Sequence, residues 1–202
     1  MSEQRSASLA EEPVPLRERL LDVPWDVTPA AWYGRLAALG LVALWGTATL
    51  FSRMTDPPLL LHLSVILFHE AGHVLFAPFG EALRIAGGTL AQLLMPLACA
   101  ISLHRRGDNF GAAICLGWTA MSGMDASVYA YDAFDPVLPL IGGGTGADSF
   151  HDFIFLFERY GQLDHARGWA RAMKALAGLG LYASLAWAGV LLYLQREHLA
   201  ER

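Results

Sequence analysis

The chain has 202 residues, the size of one ordinary domain, of which 54% are hydrophobic and 16% charged. A soluble domain carries about 25% charged residues, so this composition points to a membrane. The formal charge of −5, with no basic block, gives no reason to expect nucleic acid as a partner.

Residues 1–30 are polar, acidic and proline-containing, and they lack the apolar stretch of a signal peptide. They are expected as a mobile N-terminal tail, 1–24 lying free or on the surface, ahead of a membrane domain over 31–196. Trp25, Trp32 and Tyr33 suit the headgroup layer, where aromatic rings gather. Five apolar runs follow, at about 32–51, 59–79, 86–103, 110–131 and 175–194. Each is near the roughly 20 residues that cross a hydrocarbon core, so the expected fold is all-α, a bundle of about five transmembrane helices. The third run is short and holds Pro96, so a tilt or break is expected there. Cys99 and Cys115 lie inside apolar runs and read as small packing residues. Between the last two runs, "GGGTG" reads as flexible and "FHDFIFLFERY" as a short helix packed on the bundle or in the interface. With five alternating spans, basic residues divide nine against five and favour a cytoplasmic N-terminus.

Runs three and five carry no acidic, basic or histidine residue and run one only Arg35 near its start, whereas run two carries His62, His69, Glu70 and His73, and run four carries Asp125. A charge at mid-bilayer costs a few kcal/mol even on mild scales, so these two runs need an explanation. Residues 69–73 read "HEAGH". Positions four apart share a helical face, so His69 and His73 can ligate one zinc ion, and Glu70 is placed to act as general base. His62 lies seven residues earlier on the same stripe, about 10 Å along the axis. That is too far to share the metal, and a structural or access-path role is expected.

A catalytic zinc needs a third protein ligand and an open position. Asp125 is the first candidate, because it sits 15 residues into run four while His69 and His73 sit 10 and 14 into run two. If both runs cross in one direction, those depths agree to within about a turn. The second candidate is the loop pair His151 and Asp152, as direct ligand, substrate contact or a group that orients a ligand. Asp125 is placed ahead, since a helix holds catalytic geometry more rigidly than a loop. Gln92 is the polar side chain at depth in run three, fit to hold a substrate backbone, help an oxyanion or bond between helices.

The set "HEAGH", "GGTLAQLLMP", "GMDAS" and "HDF" resembles intramembrane zinc metallopeptidases of the site-2 protease type, and most of all a small bacterial branch of them. The likeness covers about residues 59–160. It implies His69, His73 and Asp125 as zinc ligands and Glu70 as base, although Met124 and Ala126 stand where leucine and glycine are usual. It further implies an integral protein of the bacterial cytoplasmic membrane that hydrolyses peptide bonds of membrane-embedded or membrane-proximal proteins. Two other readings fit the same residues: a metal-binding membrane protein acting in assembly or regulation, and a zinc-dependent lipid amide hydrolase. Glu70 separates them, since a binder has no need of a base.

Overall fold

The computed structural model describes residues 15–24, 27–140 and 143–201. Trp25, most of the expected N-terminal tail and the first part of "GGGTG" lie outside the described residues. Seven α-helices are seen there: α1 (Leu16–Leu21), α2 (Pro29–Phe51), α3 (Leu59–Leu75), α4 (Glu81–Arg105), α5 (Asn109–Asp132), α6 (Asp152–Arg159) and α7 (Ala166–Ala200). No strand occurs among the described residues. Local chemistry sets several starts. Thr28 accepts the Ala31 N–H with Pro29 in the first turn of α2, and Asp108 accepts the Gly111 N–H at the head of α5. Gly80, at φ 98°, makes the sharp turn into α4 that a side chain would strain.

Helices α2, α4 and α7 are each long and apolar enough to cross a membrane. Their outer faces expose Leu41, Leu44, Leu94, Leu179 and Val190, an apolar exterior that suits lipid and not water. Helix α5 has 24 residues but does not join them. It is the central helix, and its Ser122, Asp125, Ser127 and Asp132 are buried against neighbours. A helix shielded on all sides has no need of an apolar surface. Small residues bring its partners close, as where Gly123 faces Ala177 and Leu93, and Gly117 faces Ser184 and Val42. Helix α4 runs on through Pro96, without the expected break. Cys99 and Cys115 are free thiols.

Contacts fix the directions. Gly46 and Gly178 meet Leu181 and Leu50, so α2 and α7 are antiparallel. His104 bonds Asn109 while Gln92 bonds the Ser122 carbonyl, so α4 and α5 are antiparallel too. Helix α2 therefore ends, and α4 begins, at the end of the bundle where α5 hands over to α6. Helix α3, which joins them, starts and finishes in that half. Leu61 packs at the level of Met121 and Met124, and His73 reaches the Arg84 carbonyl near the start of α4. The second expected span is thus a shorter helix that starts near the middle of the bundle and runs antiparallel to α4 toward that end. This also evens the basic residues. Arg53, Arg84, Arg159, Arg167, Arg171 and Lys174 lie toward one end, and Arg17, Arg19, Arg35, Arg105, Arg106 and Arg196 toward the other. The nine-to-five division assumed alternation through α3; among the described residues it becomes six against six.

Residues 15–24 are docked on the bundle. Asn109 Nδ2 donates to the carbonyls of Arg19 and Asp22, each at 2.8 Å, and Trp187 Nε1 donates to that of Leu20. The open carbonyls at the end of α1 are thereby satisfied. Val23 is buried with Phe110, Leu191 and Leu192.

Candidate metal centre

The site lies where α3 crosses α4. Gly72 and Gly87 face each other so closely that a Cβ on either would meet the other's backbone. One turn away, a Cβ on Gly88 would stand 2.5 Å from His69 Nε2. The pair Gly87–Gly88 thus has two tasks: one glycine admits the α3 backbone, and the other admits the His69 ring.

His69 and His73 sit one turn apart on α3, their ring centroids 4.9 Å from each other. Each ring is held from behind. His69 Nδ1 lies 2.8 Å from Gln92 Oε1, and His73 Nδ1 lies 2.9 Å from the Arg84 carbonyl oxygen. The orientation of Gln92 follows from its other contacts. Its Nε2 donates to the Ser122 carbonyl at 3.1 Å and to Asp125 Oδ2 at 3.4 Å; the flipped amide would set oxygen against oxygen at both places. Oε1 therefore faces His69, and both Nδ1 atoms must donate. In each neutral ring the lone pair is then on Nε2.

Both Nε2 atoms converge on one carboxylate oxygen. Asp152 Oδ2 stands 3.0 Å from His69 Nε2 and 3.3 Å from His73 Nε2. His69, His73 and Asp152 form the group of potential metal ligands found among the described residues, their donor atoms within 4.8 Å of one another. Donors on a tetrahedral zinc with bonds of about 2.0–2.1 Å are separated by about 3.3–3.4 Å. The two nitrogen–oxygen separations are close to that edge, and the donor set, two imidazoles and a carboxylate, is one that zinc takes.

Asp152 is in the first turn of α6, and three neighbours hold it. Its backbone N–H donates to Tyr129 Oη at 3.2 Å. His151 caps α6, its Nδ1 accepting the Ile154 N–H at 3.3 Å. The hydrogen on that ring is then on Nε2, which points at Asp132 Oδ2 3.6 Å away. Asp132 Oδ1 in turn accepts the N–H groups of Val137 and Leu138. His151 also stacks on Tyr129, with centroids 4.1 Å apart, and its side chain is fully buried.

The structure therefore sorts the sequence candidates differently. The carboxylate brought to His69 and His73 is that of Asp152, not Asp125. Asp125 faces His62, whose Nδ1 is 3.2 Å from Oδ2. The physical reason lies in α3: it starts at the level of Met121 and Met124, well into the bundle, so Asp125 meets His62 and the matched count from run starts does not bring it to the pair. His151 is neither solvated nor turned to the rings; it positions the residue that follows it. Gln92 touches His69 from behind and is 2% exposed. Glu70 is exposed and lines, with His69, His73 and Asp152, a cavity of about 420 Å³. His62, Asp125 and Tyr129 line it too, and Leu138, Leu140 and Phe150 close it on the side of the α5–α6 connection. The Arg84 carbonyl carries no side-chain signal, so the sequence could not show it. Tyr129 was visible only as the residue one turn after Asp125.

Among the described residues, fold and site together define an all-helical structure with three helices fit to cross a membrane and a cluster that can hold a metal ion. Comparison with protein-family models, with curated proteins and with solved structures finds no match.

Proposed function

We propose that the protein is an intramembrane zinc metallopeptidase of the site-2 protease type, with His69, His73 and Asp152 as metal ligands and Glu70 as general base. One observation carries the reading: two imidazole lone pairs, their tautomers set from behind, aim with one carboxylate oxygen at a common point. Three such acceptors can share one cation. A divalent metal with an open fourth place fits the donors, and zinc is the common choice for such a set. When bound, it supplies a Lewis acid that lowers the pKa of a water and polarises a carbonyl.

The chain's own groups supply the rest. Glu70 follows His69 on α3 and faces the cavity, so it can take the proton of the attacking water and pass it to the leaving amine. Gln92 and the Arg84 carbonyl keep the rings turned inward. Apolar and polar side chains line the cavity in equal number, so it offers a membrane segment an apolar wall and partners for its main chain. Such a segment must unwind first, because its carbonyls are engaged in helical bonds. Its setting in a bacterial cytoplasmic membrane rests on the resemblance alone.

The test uses the full chain reconstituted in liposomes with zinc and apolar 20-residue reporter peptides. Cleavage should stop with a chelator and fall by about 10²–10⁴-fold in Glu70→Gln. Wild-type protein that holds zinc but cuts neither peptides nor co-reconstituted membrane proteins would overturn the peptidase reading.

A further inference from the structure

The cavity contains a second polar station that the metal cluster does not use. His62 Nδ1 stands 3.3 and 3.2 Å from the two Asp125 oxygens, and Gln92 Nε2 donates to the same carboxylate. Asp125 is 5% exposed. The His62 side chain is 36% exposed and lines the cavity. A carboxylate only accepts, so Nδ1 carries the hydrogen and the neutral ring presents an Nε2 lone pair. Among the described residues Nε2 has no partner. A tie made only to fasten α3 to α5 has no use for an imidazole edge turned into a cavity. A second metal is not supported either, since no third donor joins His62 and Asp125 in a cluster among the described residues.

We propose that His62, held by Asp125, accepts a main-chain N–H of a polypeptide lying in the cavity, about three residues from the bond placed beside Glu70. The spacing comes from α3 itself. Seven residues of helix separate His62 from His69, about 10.5 Å at 1.5 Å per residue. An extended chain covers that in about three residues at 3.2–3.4 Å each. The chemistry fits the same occupant: a membrane segment that unwinds frees N–H groups, and each is costly to leave unpaired away from water. A residue without an N–H is therefore selected against at that one place. The inference rests on the peptidase reading for the identity of its occupant.

Binding tests it without requiring turnover. Glu70→Gln protein in detergent is titrated with a fluorescein-labelled 20-residue leucine/alanine peptide carrying a central Gly-Gly-Gly, and with the same peptide N-methylated at one position at a time. One position should weaken binding by about tenfold, as loss of one well-made hydrogen bond does. Adding His62→Leu should weaken the parent peptide similarly and erase the dependence on that position. Adding His62→Gln, which keeps an acceptor, should retain it, and thermal unfolding of each variant checks the fold. A flat methylation scan, an unchanged scan in His62→Leu, or no binding of the parent peptide overturns the proposal. Position-specific binding together with absent cleavage by the Glu70-intact chain sinks the peptidase reading alone. Cleavage with a flat scan sinks this proposal alone.

Discussion

Gln92→Met is the perturbation that isolates the support behind the metal ligands. Methionine is a good helix former of similar volume, so backbone and packing should be kept. What is lost is specific: the acceptor on His69 Nδ1 at 2.8 Å, the donor to the Ser122 carbonyl at 3.1 Å, and the donor to Asp125 at 3.4 Å. Removing such an outer partner of a metal-bound histidine lowers affinity by about 10–100-fold, or about 1.4–2.7 kcal/mol. At saturating zinc the stabilisation conferred by the metal falls by the same amount. The metal-free protein loses stability separately, by about 1 kcal/mol for the bond to Ser122, whose carbonyl keeps its own helical partner inside α5; Asp125 retains His62. Competition with a chromophoric chelator gives the zinc affinity, and thermal unfolding with and without zinc separates the two effects. A zinc affinity within twofold of wild type would refute the reasoning that Gln92 sets the His69 ring.

Three further outcomes follow from the packing. Gly88→Ala places a Cβ 2.5 Å from His69 Nε2, so zinc content should drop steeply while circular dichroism shows an intact bundle. His151→Ala removes the α6 cap and the contact with Asp132; zinc affinity should fall about tenfold by chelator competition, since the residue positions a ligand without being one. Asn109→Ala leaves the Arg19 and Asp22 carbonyls without their donor, and limited proteolysis should then cut near residues 15–24 faster than in wild type.

The part of the site carried by one helix was legible in the sequence. Residues four apart on a turn share a face in any α-helix, so His69 and His73 needed no tertiary knowledge. The third donor depends on how separate elements meet, and there the sequence misleads. Run two is apolar enough to read as a span, yet its helix begins and ends in one half of the bundle, and a depth counted from its start has no meaning. Asp152 was ranked low as a loop residue, but it stands in the first turn of a capped helix. That signal was present: His151 and Asp152 precede "FIFLFER", an acidic residue at the head of an amphipathic run. The central place of α5 was legible only in reverse. Its small and polar residues look like a weak span and are in fact the buried surface on which α4 and α7 pack.

The central claim is that Asp152, not Asp125, joins His69 and His73 at a metal ion. The direct measurement is the zinc content of wild type, Asp152→Ala and Asp125→Ala, purified in parallel and checked for equal helicity. The account predicts about one zinc per chain in wild type and in Asp125→Ala, as for a single catalytic site, and almost none in Asp152→Ala. Zinc retained in Asp152→Ala and lost in Asp125→Ala would contradict it.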